Sequence, residues 1–331
     1  MSSARSAHRQ VDAAIDSVNM RSVVQVNRLS TAVPPALLTP SPPSSPPSSK
    51  QAPRSTQALN GCEFSFAAAD YDQVRRFIHE HAGISLSDSK QAMVYSRLSR
   101  LLRDTGHTNF RDYLTWLESG GTATQSSERW QSFVNALTTN LTAFFREEHH
   151  FHELEAELIQ RAGKPVRIWC NAASTGEEPY SIAMTVAEVL GPQALVSQLA
   201  TDIDTNVLAV ARRGVYAMGA GGLSAERMRQ HFLKGKGENA ALMRIKPDMA
   251  RGIDFKSHNL IHAQWSLGEP FDIVFCRNVM IYFDASTQQA VLERMHKVIK
   301  PGGLLFVGHS ESFNNAKHLF RLRGKTIYER V

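Results

Sequence analysis

The sequence predicts an α/β fold with a parallel sheet and a small antiparallel insertion, preceded by an all-α domain and a disordered tail. Residues 166–169 form a short apolar run with β-branched and aromatic side chains, which is typical of a buried parallel strand. A turn of small residues follows at 172–176, and apolar residues return at helical spacing over 180–190. This order of strand, tight turn and helix is typical of sheets that bind ligands at the carboxyl ends of their strands.

Composition narrows the class of protein. The 331 residues are 42% hydrophobic and 21% charged, as in ordinary soluble proteins. No apolar run approaches the roughly 20 residues that span a bilayer, and no secretory signal is visible. Cys62, Cys170 and Cys276 lie far apart without C-x-x-C spacing, so a cytoplasmic protein is expected. The net charge of +6 suggests an acidic partner, either nucleic acid, an acidic membrane or an acidic protein surface.

The N-terminal part divides into a tail and a helical domain. Residues 1–60 are expected to be disordered, because they are poor in aromatic residues and contain the run S-P-P-S-S-P-P-S-S. Residues 62–140 show helical spacing only, with helices expected at about 88–104, 110–117 and 130–137. Together these helices are predicted to form a small helical domain.

The helix at 88–104 has an apolar face and a basic face. The apolar face holds Val94, Leu98, Leu101 and Leu102, and the basic face holds Lys90, Arg97, Arg100 and Arg103. The basic face is either an ordinary solvated surface or a docking surface for an acidic helix or a phosphate backbone. The pattern alone leaves this choice open.

Residues 141–163 are expected to link the helical domain to an α/β domain at 164–331, with a helix over 147–159. His149, His150 and His152 stand close together in this linker. No ligand spacing of a known metal-binding class accompanies them, so the sequence predicts no metal site.

The turn after the first strand limits the kind of ligand. It has one glycine, Gly176, where a dinucleotide fingerprint has three, and no G-K-[ST] follows to hold phosphates. Glu177 and Glu178 stand at the helix start, where a phosphate would otherwise bind. Glu178 either complements the helix dipole, or the site accepts a cation, with Glu177 facing a positively charged ligand.

Further strands follow the same α/β rhythm. The strand at 195–203 carries Asp202, 25 residues beyond Glu177, where an acidic side chain accepts hydrogen bonds from a ribose. Asp204 is interpreted as a helix N-cap. Residues from about 228 to 256 are predicted to form a small antiparallel β-subdomain. A core strand at 271–276, a helix at 286–299, a turn at 301–303, a strand at 304–307 and a hairpin at 320–330 complete the domain.

At this point the sequence closely resembles the chemotaxis receptor glutamate methyltransferases, the CheR family, over residues 64–331. The matching motifs are T-N-L-T-A-F-F-R-E at 139–147, A-A-S-T-G-E-E-P-Y-S at 172–181, A-T-D-I-D at 200–204, H-N-L at 258–260, F-C-R-N-V-M-I-Y-F at 275–283 and P-G-G-L-L-F-V-G-H-S-E at 301–311. The resemblance implies a Rossmann-like domain that binds S-adenosylmethionine. It implies methyl transfer to glutamate side-chain carboxylates of methyl-accepting chemotaxis receptors, which yields glutamyl methyl esters and S-adenosylhomocysteine.

The resemblance also assigns roles to individual residues. Arg146 and Tyr282 would act near the transferred methyl group, and Arg97, Arg100 and Arg103 would dock on the acidic helical bundle of the receptor. The cofactor contacts would be Asn140, Thr142, Arg146, Glu177, Asp202, Asn259, Leu260, Arg277 and Asn278. The β-subdomain could bind a receptor C-terminal peptide, a question that the sequence leaves undecided. A monomer without membrane insertion is expected.

Two other functions are considered. A nucleic-acid methyltransferase would suit the basic charge, but R-N-V-M-I-Y replaces the Asn/Asp-Pro-Pro-aromatic run, and no basic–aromatic interleaving suggests base stacking. A non-catalytic cofactor-binding adaptor would retain the site without transfer. His309, Ser310 and Glu311 receive a structural role, because adjacent residues at a strand end cannot form a hydrolytic relay.

Overall fold

The computed structural model describes residues 63–191, 194–313 and 316–331, so the predicted tail at 1–60 lies outside the described residues. The first part of the described chain is a helical unit, and a short 3-10 turn at Asp88–Lys90 precedes its second helix. Its helices are α1 (Ala68–Ala82), α2 (Gln91–Thr105), α3 (Phe110–Glu118) and α4 (Ala123–Leu137). None of the described helices combines the length and the apolar character needed to cross a membrane.

Side-chain caps and apolar faces define these helices. Asn109 accepts the backbone N–H of Asp112 at the start of α3, and Thr122 forms a capping box with Gln125 at the start of α4. This capping box starts α4 well before the predicted residue 130. The prediction placed the start too late because the first two turns of the helix are polar and lack an apolar repeat. On α2, the predicted apolar face is largely confirmed, since Val94, Leu98 and Leu102 are fully buried in the core of the helical unit.

The second unit is a seven-stranded sheet flanked by helices. Its strands are β1 (Val166–Cys170), β2 (Val196–Asp202), β6 (Ile253–Ser257), β7 (Phe271–Cys276), β8 (Ile299–Val307), β9 (Phe320–Gly324) and β10 (Ile327–Arg330). Its helices are α5 (His149–Gln160), α6 (Glu177–Leu190), α7 (Thr205–Arg213), α8 (Ala225–His231), α9 (Pro247–Arg251) and α10 (Ala285–Val298). The strand order is β6-β2-β1-β7-β8-β10-β9, with parallel pairing from β6 to β8 and antiparallel pairing from β8 through β10 to β9.

The central strands are buried on both faces, which explains their nearly continuous apolar sequence. Ile168 of β1 and Ile273 of β7 belong to the core on one face of the sheet, whereas Trp169 and Val274 belong to the core on the other. The α/β fold with a mostly parallel sheet and a preceding helical unit is therefore as predicted.

The small antiparallel sheet differs from its predicted extent at both ends. It consists of β3 (Val215–Ala217), β4 (Phe232–Lys234) and β5 (Leu242–Ile245) in the order β3-β5-β4. The segment Ile253–Ser257, predicted to belong to this subdomain, is instead the edge strand of the main sheet beside β2. As an edge strand it alternates half-buried Ile253 and Phe255 with exposed charged residues, a pattern that an antiparallel strand shares.

Residues 301–303, predicted to form a turn, lie inside a strand. Strand β8 continues through these residues, and its register against β7 shifts between Phe271 and Ile273. Gly302 adopts a positive φ of 71° within this irregularity, so the Pro-Gly-Gly run produces a bulge inside one strand.

The two units contact each other directly. Ile84 forms an isolated β-bridge with Phe283, and the backbone N–H of Ser85 donates to the carbonyl of Tyr282 at 2.8 Å. The side chain of Asn259 donates to the carbonyl of His81 at 2.7 Å. The helical unit is thus hydrogen-bonded to the segments that follow β6 and β7.

Candidate functional site

A cleft of about 510 Å³ lies at the carboxyl ends of the parallel strands, where the fold is expected to bind ligands. Ile84 and Met93 of the helical unit form part of its wall. Its volume falls in the range of roughly 300–1,000 Å³ that small-molecule sites occupy. Nine predicted site residues line it: Asn140, Thr142, Arg146, Asp202, Asn259, Leu260, Arg277, Asn278 and Tyr282.

The turn between β1 and α6 is tied to two neighbouring segments. The backbone N–H of Ser174 donates to Asp202 Oδ2 at 2.8 Å, and its hydroxyl donates to the carbonyl of Asn140 at 2.9 Å. Ser174 has a φ of 48°, a costly conformation for a residue with a side chain. Gly176 has a φ of 102°, and a Cβ there would lie 2.7 Å from the hydroxyl of Tyr216. The turn is therefore held in one shape against the strand end and the linker.

Of the two carboxylates at the start of α6, the structure places Glu178 in the cleft lining. Glu177 is buried, and its carboxylate accepts the hydroxyl of Thr175 at 2.6 Å. Burial raises the pKa of Glu177. The structure does not bring Glu177 among the lining residues, so its cofactor contact stays a prediction. One interpretation of Glu178 is that it complements the helix dipole. In the structure its carboxylate also pairs with a buried arginine.

That partner is Arg277, which directly follows β7 and is 3% exposed. Its Nη1 lies 2.5 Å from Glu178 Oε2, its Nη2 lies 3.4 Å from Glu147 Oε2, and its Nη2 also donates to the carbonyl of Arg146. Although burial alone would raise the pKa of Glu147, the charge of Arg277 and a hydrogen bond with His309 lower it to about 2. A buried cation thus joins the helix start, the linker and the end of β7.

Asp202 ends β2 and faces the cleft with both carboxylate oxygens hydrogen-bonded. Oδ2 accepts the N–H of Ser174, and Oδ1 accepts the N–H of Asp204 at 2.9 Å. Burial outweighs these bonds and raises the pKa of Asp202 to about 6. Asp204 caps α7 by accepting the N–H groups of Asn206 and Val207, as predicted.

Glu311 shapes the loop that carries Arg277 and Asn278. Its buried carboxylate accepts four backbone N–H groups, from Gly308 at 2.6 Å, Met280 at 2.8 Å, Asn278 at 2.9 Å and Val279 at 3.0 Å. Asn278 has a φ of 57°, which this clamp maintains. The contacts agree with the structural role predicted for Glu311, although its four partners could not be read from the sequence.

Two further side chains in the cleft lining, buried Asn171 and half-buried His258, carry buried polar atoms, and nothing in the sequence motifs singles them out. The amide of Asn171 makes no hydrogen bond to a nitrogen or oxygen of the described residues, although it contacts the Cys276 thiol, a weak partner. The Nε2 of His258 likewise lacks a partner in the described ranges, and burial lowers the pKa of this histidine to about 4. Both residues directly follow a strand end, which is the signal that could have identified them.

These unpartnered groups are what a polar cofactor would satisfy, since buried donors and acceptors are costly to leave unpaired. A neutral imidazole and an amide suit an adenosine moiety, and a carboxylate at the end of β2 suits a ribose diol. The residues present therefore fit S-adenosylmethionine.

Tyr282 lies where the two units meet. Its hydroxyl bonds to the side chain of Thr139, and burial raises its pKa even though the charges of Arg146 and Arg97 lower it. Arg97 donates to the carbonyls of Leu137 at 3.1 Å and Thr138 at 2.6 Å. Arg97 is thus held at the C-terminal end of α4, and its docking role stays a prediction.

The two other arginines of the basic face are exposed, and within the described ranges they make only surface ion pairs. Arg100 lies 3.8 Å from Asp104, and Arg103 lies 3.1 Å from Glu63. Such pairs contribute little stability, so both guanidinium groups can exchange partners readily.

Comparison with known proteins gives consistent matches. Residues 140–328 match the family described as "CheR methyltransferase, SAM binding domain", and residues 69–138 match "CheR methyltransferase, all-alpha domain". A "Chemotaxis protein methyltransferase" of Escherichia coli K12 is 47% identical over 262 residues, which cover 78% of this chain and 90% of the relative. The "Chemotaxis protein methyltransferase 2" of Pseudomonas aeruginosa is 47% identical over 271 residues, which cover 80% of this chain and 94% of the relative.

Proposed function

Since this chain belongs to the CheR family of methyltransferases, we propose that it methylates glutamate side chains of chemotaxis receptors, using S-adenosylmethionine and forming glutamyl methyl esters. The observation that supports the proposal best is the single cleft that nine of the predicted site residues line. Its partners would be the cytoplasmic, acidic helical bundles of receptors, which the exposed Arg100 and Arg103 suit by charge.

Residues of both the linker and the sheet would hold the cofactor. Asp202 would accept the ribose hydroxyls, and Asn259 and Leu260 would flank the adenine beside the unpartnered Nε2 of His258. Linker residues Asn140 and Thr142, with Arg277 and Asn278 after β7, would enclose the remaining parts of the molecule. The side chain of Asn140 already donates to Asp204 Oδ2 at 2.8 Å, so its contribution would come through its position in the linker.

The reaction requires no general base. When bound, the cofactor supplies an electrophilic methyl group on a sulfonium sulfur. A glutamate carboxylate with an ordinary pKa near 4.3 is already ionised at neutral pH. Arg146 and Tyr282 would orient this carboxylate, and the gain would come from proximity and alignment. Strong neutralisation of the nucleophile would stabilise the ground state and slow the attack.

The direct test uses the full chain with tritiated S-adenosylmethionine and membranes from its own cell. We expect base-labile label on a band of receptor size, because methyl esters hydrolyse in mild alkali. Label on nucleic acid would favour the nucleic-acid methyltransferase. Cofactor binding by calorimetry without ester formation on any receptor would favour the adaptor.

Cofactor affinity is expected to fall in acid because of Asp202. With its pKa near 6, this carboxyl is ionised above pH 6 and accepts hydroxyl donors, whereas below pH 6 it becomes protonated. The Kd for S-adenosylhomocysteine should therefore be flat at pH 7–8 and should rise by up to about tenfold per unit below pH 6. Calorimetric titration between pH 5 and 8 measures this. Asp202→Asn is the control and should bind weakly with a flatter profile, while an unchanged wild-type Kd at pH 5 would refute the assignment.

Replacing Arg146 should reduce turnover more than binding. In Arg146→Ala we expect kcat to fall about 10²-fold, the effect of losing one positioned group at a reacting centre. The Kd for S-adenosylhomocysteine should change less. Label transfer to receptor-containing membranes and calorimetry measure the two quantities. Arg251→Ala, whose side chain is 78% exposed on α9, is the matched control, and wild-type turnover in Arg146→Ala would exclude an essential role.

A further inference from the structure

A cluster of three potential metal ligands lies where the linker enters α5. Glu147, His149 and His150 each offer one ligand atom, and these atoms lie within 4.8 Å of one another. The sequence predicts no metal here because the spacing matches no known class. The structure adds the burial, tautomer and surroundings of each group, which spacing does not reveal.

The tautomer of His150 follows from its hydrogen bonds. Its Nε2 lies 3.1 Å from the carbonyl of Lys325 and 3.0 Å from the hydroxyl oxygen of Thr326. The Thr326 hydroxyl donates its own hydrogen to the Lys325 carbonyl at 2.6 Å. Both partners therefore accept, and Nε2 must carry the proton. A neutral ring with its proton on Nε2 has a lone pair on Nδ1.

That lone pair has no hydrogen-bond partner among the described residues, although His150 is fully buried. The carboxylate of Glu147 lies close by, with 3.7 Å between His150 Nδ1 and Glu147 Oε2. Oε2 also receives no hydrogen bond from the described part of the chain. Two electron-rich atoms thus face each other inside the protein, an arrangement that a bridging cation would stabilise.

We propose that Glu147, His149 and His150 form a binding site for a divalent transition-metal ion of the zinc type. Imidazole and carboxylate are ligands that such ions prefer. Tetrahedral ligands with bonds of about 2.0–2.2 Å stand about 3.3–3.6 Å apart, close to the separation of Nδ1 and Oε2. The bond from Nε2 to a backbone carbonyl is the outer contact that usually orients a metal-binding histidine.

The neighbouring charges set the strength of the site. Arg277 Nη2 lies 3.4 Å from Glu147 Oε2, so a bound ion would compete with this guanidinium for the carboxylate. Arg277 would keep its pair with Glu178 at 2.5 Å. His309 Nδ1 contacts the other oxygen of Glu147 at 3.1 Å and would hold the carboxylate in place. Because the ion approaches an existing cation, we expect micromolar rather than nanomolar affinity.

In the test, the full chain is titrated with ZnCl₂ in the absence of cofactor, and calorimetry measures the binding. We expect a micromolar site that His149→Ala weakens at least tenfold. His152→Ala is the matched control, because His152 is exposed on the same helix and does not belong to the cluster, and it should leave the affinity unchanged. Equal affinity in wild type and His149→Ala would overturn the proposal. Substitution with Co²⁺ provides a second readout, since tetrahedral coordination gives strong visible absorption that His149→Ala should abolish.

A consequence for the cofactor rests on the proposed function. An ion that takes Glu147 from Arg277 alters a wall of the cleft, so saturating Zn²⁺ should raise the Kd for S-adenosylhomocysteine in wild type and not in His149→Ala. The direct ZnCl₂ titration does not depend on the cofactor. A failed metal site and a failed methyltransferase assignment therefore give different results.

Discussion

Arg277→Met is expected to destabilise the fold by about 3–5 kcal/mol, the usual cost of removing one partner from a buried ion pair. The reason is that Glu178, 2.5 Å from the guanidinium, and Glu147, 3.4 Å from it, would lose their shared cation. Urea unfolding followed by circular dichroism measures the change. The folded fraction should also lose affinity for S-adenosylhomocysteine, because Arg277 lines the cleft.

A double-mutant cycle separates the ion pair from simple loss of packing. Arg277→Met with Glu178→Gln should be less destabilised than the sum of the two single variants, since the double variant leaves only Glu147, and no longer Glu178, as a carboxylate without its cation. Arg294→Met is the matched control. Among the described residues, Arg294 donates only to the carbonyl of Leu260 at 3.1 Å, and its loss should cost about 1 kcal/mol. An Arg277→Met variant within 1 kcal/mol of wild type would contradict the role assigned to this network.

Glu311→Gln is expected to cost about 2–4 kcal/mol of unfolding free energy, because hydrogen bonds to a charged group contribute about 1.5–3 kcal/mol each and burial of the carboxylate offsets part of the gain. Four backbone N–H groups converge on the carboxylate, and an amide would turn a donor toward some of them. Release of the loop should weaken S-adenosylhomocysteine binding at least tenfold. Calorimetry below the melting temperature measures this effect.

The control for this variant is Glu293→Gln. Glu293 is exposed on α10 and accepts only the side chain of Gln289 at 2.9 Å among the hydrogen bonds of the described residues. Its replacement should leave both stability and binding near wild type. If Glu311→Gln bound S-adenosylhomocysteine as tightly as Glu293→Gln, the loop at 277–280 would not depend on Glu311.

The fold could be predicted because its signals are local. Burial on both faces makes β1 and β7 apolar except for Arg167 and Asp272, and one-sided burial makes Val94, Leu98 and Leu102 repeat at helical spacing. The ends of strands and of subdomains were harder to predict wherever pairing with a distant strand determines them. The segment Ile253–Ser257 alternates like an antiparallel strand and yet pairs in parallel with β2, a choice that only its neighbour determines.

The site could be predicted less fully, because orientation and distant partners matter there. Glu177 and Glu178 differ by one helical step of about 100°, which decides which of them faces the cleft, and the sequence does not give the rotation of the helix. Arg97 shares a helical face with Arg100 and Arg103, but its hydrogen bonds to Leu137 and Thr138 depend on the packing of α2 against the end of α4.

The contacts between the two units bear on how relatives of this chain can diverge. The carbonyl of His81 holds the side chain of Asn259, and the backbone at Ser85 pairs with that at Tyr282. One wall of the cleft therefore comes from the N-terminal half of the gene and the other from the C-terminal half. Recombination that exchanged only one half between distant homologues would join surfaces that had not been selected together, so the two halves are expected to be inherited as a pair.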